Sequence, residues 1–521
     1  MILALFACAP IGPPNILVIS LDTVRADHTT PYGYARDTTP VLAQLGKEGT
    51  VFTNAFSSGN ESAYSHAAIF TGRYASEIAA PVYATYGVPP AATLASEALQ
   101  ASGYATASFS AGGHVTADFG FDQGWDHYSA EPGFASLFDT GPKAVDWIEA
   151  ASADKPWFVF LHSYDAHRPY SRPGPWDHLY AEGPGSPLAE AICRSPCLSE
   201  MVLRDALLPE LTPQWFTHLG GAQIMGTDIY GRLASAAEGA LRVPFAEGDL
   251  AHVVAHYDGA LRYADTLLGE TLAKLQKAGD LDNTVVIVLS DHGEDLLDHG
   301  YMNHRTGLTD STTKVPLVVW GPGFGGGGKV DALVDSRDVA ATLFALSGTL
   351  PPAGSAGRDL RAVARAESLA LAVFSEGVMD MVSVRTSDYR LVYRDAALDD
   401  PDYLAHLRAA PLDSPHFTLY NLENDPREQV DVHLVEPFVT AALRDRLVAW
   451  RARLRLADYA LPGGAISPAV TAALREHGYW NAADASVAIP SVPQPVAGAV
   501  GRPDVDASCR DRLLFIDGPT P

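Results

Sequence analysis

Three stretches of this 521-residue chain carry side chains whose types and spacing could do chemistry. The apolar run Val285-Val286-Ile287-Val288-Leu289 stops at Ser290-Asp291-His292-Gly293-Glu294, with His299 and His304 shortly after. A second apolar run, from Asn15, stops at Asp22, and Ser62 opens a segment that closes at Thr71-Gly72-Arg73. One acid from the first run and an acid–imidazole pair from the other would give a divalent cation adjacent hard and borderline donors. A hydroxyl at Ser62 could complete that shell and act as the nucleophile, its pKa lowered by the cation that also polarises a substrate oxygen. Cationic groups nearby would stabilise charge on a tetrahedral oxyanion in transit. The plainer alternatives are helix N-caps at Asp291 and Ser62 and packed core histidines at His66 and His162.

Those residues need a scaffold, and the chain predicts one. Short β-branched runs without polar alternation predict strands buried on both faces, as in a central parallel sheet, beyond whose carboxyl ends ligands bind. Such strands are Asn15–Asp22, 156–162 and Val285–Leu289, joined by Val51–Phe56, Thr106–Ser110 and Val315–Trp320. Between them Thr39-Pro40 predicts a helix to Lys47 that Gly49 ends, and further helices run to Thr71 and over Thr93–Ala101. Tyr257, Leu261, Ala264, Leu268, Leu272 and Leu275 mark one face of a long amphipathic helix. The alternation predicts a doubly wound α/β sandwich over residues 15–364 with a large, mostly parallel sheet, interrupted by an irregular insertion at 171–249 that borders the site. From about Arg365 the short runs Leu369–Ser375, Val382–Arg385, Tyr389–Tyr393 and Phe417–Tyr420 predict an antiparallel sheet. With a helix at Pro437–Leu454 they predict a smaller α+β C-terminal subdomain over 365–461, followed by a segment 462–521 holding one helix (Pro468–His477) and an extended tail.

The 36 Lys+Arg against 62 Asp+Glu, a net charge of −26, exclude nucleic acid as the natural partner, which needs a basic footprint. Within the segment 1–14, Leu5-Phe6-Ala7-Cys8 resembles a bacterial lipobox, although the basic stretch that precedes one is missing. It predicts an exported protein, periplasmic or anchored to the outer membrane through a lipid on Cys8. No run reaches the ~20 apolar residues of a spanning helix. Cys193 and Cys197 could close a small disulfide in an oxidising compartment, and no histidine stands beside them or Cys509 at zinc-ligand spacing.

The segments Asn15–Tyr34, Ser65–Arg73, Asp165–Tyr170, Thr284–Glu294 and Leu419–Gln429 resemble, in order, the sulfatase family of the alkaline-phosphatase superfamily. The resemblance implies an alkaline-phosphatase-like α/β sandwich and a single divalent cation, calcium favoured and magnesium, manganese or zinc as alternatives. It implies hydrolysis of small anionic sulfate esters through a formylglycine made from Cys or Ser, with relatives that cleave phosphate esters and phosphonate monoesters. Carried over by position, Asp22, Asp291 and His292 match metal ligands and Ser62 the nucleophile. His167 matches a substrate-contacting histidine and His304 a proton donor to the leaving group. His66 is expected to hold the ester oxyanion with His167, while His114 and Arg305 are candidate substrate contacts. Thr23 stands where the family has a second acid, and Asp291-His292 where it has Asp-Asn, a variation seen among phosphonate- and phosphodiester-cleaving relatives. Tyr64 and His66 replace the Pro and Arg of the modification motif, which weighs against formylglycine at Ser62 and favours an unmodified serine alkoxide. Arg25 and Asp27 are expected to staple their loop to the sheet. Two alternatives stand beside this one: a two-metal phosphodiesterase whose second site is Asp165, His167 and His304, and an inactive surface protein that binds acidic or sulfated glycans.

Overall fold

The computed structural model describes residues 12–78, 87–151, 155–185, 187–194, 248–296, 298–299, 302–305, 307–377, 381–394, 403–454 and 467–476. The lipobox-like segment up to residue 11, Cys197, most of the expected insertion and the tail beyond residue 476 therefore lie outside the described residues. The central sheet is built from β1 (Asn15–Leu21), β2 (Thr50–Phe56), β3 (Ala105–Ser110), β4 (His127–Ala130), β5 (Trp157–Ser163), β6 (Thr284–Leu289), β9 (Leu317–Trp320) and β10 (Gly328–Asp335). Between β6 and β9 lies a small hairpin, β7 (Asp295–Leu296) with β8 (Met302–Asn303). The strand order is β10-β2-β9-β6-β1-β5-β3-β4, parallel throughout except that β9 runs antiparallel to both its neighbours.

Strand periodicity produces the sandwich. In β1, Ile16 and Val18 join one core layer with Phe70, Phe160 and Ile287, while Leu17 and Ile19 join the opposite layer with Leu161, Tyr257 and Leu268. Every residue of β5 and β6 is buried, which is why those runs read as unbroken apolar sequence. The first layer is filled by α2 (Ser62–Thr71) and α3 (Ala95–Ala101), the second by α1 (Pro40–Glu48), α4 (Leu137–Ala150), α5 (Pro187–Arg194) and α6 (Asp249–Ala278). The long helix starts eight residues before the first face residue expected of it and ends at Gly279, whose φ of 88° gives a left-handed C-cap. The sequence pattern missed α4 because Gly141-Pro142 reads as a break. Pro142 lies inside the helix, in its second turn, where it lacks the N–H that would reach the Phe138 carbonyl, and Ser136 caps the first turn.

The C-terminal sheet is an antiparallel meander: β11 (Val373–Gly377), β12 (Met381–Arg385), β13 (Tyr389–Arg394) and β14 (Phe417–Asn421). Its first strand begins later than predicted, and Leu369 and Leu371, 60% and 80% exposed, lie before it. Arg390 and Glu428 join this subdomain to the helical turn Asp310–Thr313. Arg390 Nε donates to Glu428 Oε1 at 2.6 Å, and a second Arg390 nitrogen pairs with Asp310. The stretch Leu419–Gln429 thus acts as a clamp between the two sheets. The helix Pro468–Glu476 returns to the catalytic core through Val470 and Leu474.

Candidate active site

Three adjacent parallel strands end together, because Ser20 is in register with Leu289 and Leu21 with Ser163. The residues just beyond those ends are Asp22, Asp291-His292 and Tyr164-Asp165. Asp22 is fixed by its N–H to the Ser163 carbonyl at 2.9 Å. The next residue, Thr23, takes a φ of +60°, a conformation costly for a β-branched residue. Its hydroxyl turns back to the Asp22 carbonyl at 2.8 Å, so Thr23 does not replace the missing acid as a donor into the site.

Ser62 is the first residue of α2, with Glu61 as the extended N-cap, and is fully buried. Its hydroxyl donates to Asp22 Oδ2 at 2.8 Å and lies 3.4 Å from His292 Nε2. His292 Nδ1 is 3.0 Å from the Gly293 carbonyl, which only accepts, so the ring carries its hydrogen there and turns the Nε2 lone pair inward. That lone pair meets Asp291 Oδ2 at 3.4 Å and Asp22 Oδ2 at 3.9 Å. Asp22, Asp291 and His292 are each 0% exposed, and Asp22 Oδ1 and Asp291 Oδ2 have no hydrogen-bond donor. Two buried carboxylates and an inward lone pair with no Lys or Arg hydrogen-bonded to them fit a divalent cation, and ligand atoms of all three residues lie within 4.8 Å of one another. Burial and the Asp291 charge push the Asp22 carboxyl well up; at Asp291 burial acts the same way, but His292, His66 and His162 outweigh it and hold it down.

His66 occupies a different place from the one expected. Its Nδ1 lies 2.8 Å from the Ser62 carbonyl and its Nε2 3.0 Å from Ser20 Oγ, and the ring packs among Phe70, Phe121, Phe160 and His162. With both nitrogens spent, it ties the first turn of α2 to β1 and has no donor left for a substrate oxygen. Burial, with His292 adding to it, lowers its pKa. His162 is in the core as expected, but neither of its nitrogens has a hydrogen-bond partner, and Nε2 stands 4.0 Å from Asp22 Oδ2.

The His304 ring stacks on His292 at 4.2 Å between centroids, with Nδ1 3.2 Å from Glu294 Oε1, and His167 lies 5.7 Å beyond it. Burial first, then the charges of His292, His167, Arg168 and Arg305, hold the His304 pKa well down. Arg305 therefore acts on the same locus, as does Arg168, which is 2% exposed and was given no role from sequence. His114 sits over the N-cap, its Nδ1 3.2 Å from Glu61 Oε1. The Tyr164 hydroxyl, just beyond β5, presses on Gly113, where a Cβ would lie 2.2 Å from it.

Asp165 is not a second metal ligand. Its carboxylate accepts from Ser136 Oγ at 2.6 Å, Leu137 N at 2.7 Å and Ser163 Oγ at 2.5 Å, capping α4, and among the described residues no metal-ligand group includes Asp165, His167 or His304. Arg25 does staple its loop: it pairs with Asp27 at 2.8 Å and with Asp298 at 2.5 Å. His299 is not a surface residue, since its Nδ1 pairs with the buried Asp295 at 2.9 Å.

A family model described as sulfatase matches residues 14–349. Arylsulfatase K of Mus musculus is 22% identical over 369 residues, which is 67% of this chain and 63% of the mouse protein, so the chain spans less than two thirds of that relative. An N-acetylglucosamine-6-O-sulfatase of Bacteroides thetaiotaomicron is 23% identical over 485 residues, covering 80% of this chain and 82% of its own. Among solved structures, a protein in complex with its substrate D-glucosamine-2-N,6-O-disulfate superposes with a TM-score of 0.66 at 19% identity, over 86% of this chain and 99% of the other. A phosphonate monoester hydrolase of Agrobacterium radiobacter gives 0.62 at 18% identity, over 84% and 96%. At those identities the superpositions establish the fold, an α/β sandwich with a separate antiparallel sheet.

Proposed function

The chain belongs to the sulfatase family, and we propose that it is a metal-dependent hydrolase of sulfate esters with Ser62 as nucleophile. The observation that carries this is the 2.8 Å hydrogen bond from Ser62 Oγ to Asp22 Oδ2, inside a buried cradle of two carboxylates and the His292 lone pair. Asp22, Asp291 and His292 would hold the cation, calcium by family resemblance. A bound cation supplies Lewis-acid polarisation of the ester oxygen and a lowered pKa at the Ser62 hydroxyl. Asp22 Oδ2 already accepts the Ser62 hydrogen and is placed to take the proton as Oγ attacks sulfur. The ester S–O bond then breaks, and His304, which the anionic ester and Glu294 at Nδ1 would hold as the imidazolium, gives its Nε2 proton to the leaving oxygen. His167, Arg168 and Arg305 hold the remaining sulfate oxygens, and His66 and Ser20 keep the first turn of α2 in place. Water then attacks the sulfur of the sulfated Ser62 and gives a proton back to His304, while the serine oxygen leaves, recovers its proton from Asp22 and releases sulfate.

The Asp291-His292 pair and the loss of the modification motif at Tyr64 and His66 support a second reading: direct attack by unmodified Ser62 on a phosphonate monoester or phosphodiester. Turnover of an aryl sulfate, a bis-aryl phosphate and an aryl phosphonate monoester by wild type and Ser62→Ala separates the two. Wild type is expected to prefer the sulfate and Ser62→Ala to lose it. Sulfate turnover retained by Ser62→Ala rejects Ser62 as nucleophile. An intact mass for the peptide carrying Ser62 supports the alkoxide, and the loss of a pair of hydrogens supports formylglycine. The lipobox-like Leu5-Phe6-Ala7-Cys8 supports export with a lipid anchor, and among the described residues no helix is long and apolar enough to cross a membrane.

A further inference from the structure

A second cluster of ligating side chains stands apart from the Asp22–Asp291–His292 cradle and shares no residue with it. His252 and His256 are one helical turn apart on α6 and so face the same way. The helix α5 packs on that face and delivers Cys193, whose Sγ lies within 4.8 Å of a ring nitrogen of each histidine. Cys193 and His256 are 0% exposed and His252 is 8% exposed. Among the described residues neither nitrogen of His256 has a hydrogen-bond partner, and Cys193 has no disulfide partner. His252 Nε2 lacks hydrogen-bond geometry too, yet Glu190 Oε1, one turn before Cys193 on α5, stands 3.1 Å from it.

Burying an imidazole with two unpaired nitrogens forfeits their hydrogen bonds to water, so a packed core gains nothing from this arrangement. A cation does gain from it. Sulfur and imidazole are donor types zinc selects, and bonds of about 2.0–2.3 Å to a tetrahedral ion put neighbouring donors about 3.3–3.8 Å apart. The three donors lie within 4.8 Å of one another, a little wider than that spacing, while Glu190, which stands 3.1 Å from His252, pairs with Arg194 at 3.0 Å and lies outside the group.

We propose that Cys193, His252 and His256 form a structural zinc site that clips α5 to α6. On binding, the Cys193 S–H bond is broken, the zinc–sulfur bond forms, and the proton leaves to solvent. The site fastens the insertion to the helix that also carries Tyr257, whose hydroxyl supports the loop behind Asp22. Sequence spacing hides it, because the histidines lie on a helix far along the chain from Cys193.

Cobalt(II) titration of the metal-stripped, full-length protein tests the proposal, because thiolate–cobalt charge transfer in the near ultraviolet cannot arise from a cradle of carboxylates and imidazole. Wild type and Asp22→Asn are expected to show the band at one equivalent per chain, bleached by zinc, and Cys509→Ser to keep it. Cys193→Ser and His256→Gln are expected to lose the band and one equivalent of zinc while retaining the far-ultraviolet circular dichroism of wild type. Absence of the band in wild type, its persistence in Cys193→Ser, or a Cys193–Cys197 disulfide in the native protein overturns the site. A misfolded Cys193→Ser leaves the decision to His256→Gln, which keeps the thiol, and to the wild-type titration.

Discussion

The Tyr257 hydroxyl donates to the Thr23 carbonyl at 2.7 Å and accepts the Arg25 N–H at 3.0 Å, so one side chain from α6 pins both flanks of the loop that follows Asp22. Thr23 holds a φ of +60° inside that clamp, and the neighbouring Val24 N–H is fixed by Ser290 Oγ at 2.9 Å, one residue before Asp291. The two halves of the proposed metal cradle are therefore tied together through backbone as well as through a cation.

Removing that clamp should hurt catalysis more than folding. Tyr257→Phe loses two buried hydrogen bonds, about 1–3 kcal/mol, and frees Thr23 to relax toward an ordinary conformation. A displacement of Asp22 of the order of 1 Å is expected to lower kcat by about 10–100-fold. Urea unfolding and steady-state kinetics on the same preparation check this; a kcat equal to wild type would mean that Asp22 is held without the tyrosine.

Chelation should abolish turnover and a divalent cation, calcium first, should restore it. Asp22→Asn and Asp291→Asn are each expected to lower the tightly bound metal by one equivalent per chain, since each removes one of three charged or lone-pair donors. Elemental analysis after gel filtration measures it. Full metal content in both variants would place the cation elsewhere.

Arg390 is 1% exposed and pairs with Glu428 at 2.6 Å and with Asp310. Arg390→Met leaves the buried Glu428 carboxylate without its partner and is expected to cost about 3–5 kcal/mol. The double change Arg390→Met with Glu428→Leu should recover part of that loss in urea unfolding. A loss confined to the single variant would identify the clamp as an electrostatic lock between the sheets, and a neutral single variant would remove that role.

His299 gives a pH signature. Its imidazole is pushed up to about 9; burial works against the charge, but Asp295 outweighs it. Because the folded pKa lies above the unfolded value of about 6.5, the ion pair stabilises fully below pH ~6.5 and its contribution fades as pH rises through about 9. The ceiling is about 3 kcal/mol, and the cost of burying Asp295, whose own carboxyl is pushed up, reduces it. The stability gap between wild type and His299→Gln should narrow from pH 6.5 to 9; a gap independent of pH would mean the ring is uncharged.

Much of the scaffold was legible because local physics dictates it. Strands buried on both faces must be continuously apolar, so β1, β5 and β6 announced themselves, and acids at their ends announced the cradle. Where a local cue misled, tertiary contacts had overridden it: Pro142 sits inside α4, and β9 enters a parallel sheet antiparallel, a direction no residue pattern encodes.

What the sequence determined by itself is therefore most of the strands, though not β4, β10 or the β7–β8 hairpin, and the placing of Asp22, Asp291 and His292 at strand ends with Ser62 at a helix start, since each follows from a short local pattern. What only the tertiary structure decided is which atoms are spent and which are left over. His66 proves to be a brace with both nitrogens engaged, Asp165 a helix cap, Tyr257 the support behind Asp22, and Cys193 a neighbour of His252 and His256. The physical reason is that hydrogen-bond satisfaction and burial belong to pairs of groups brought together from distant parts of the chain. No one-dimensional spacing contains that pairing.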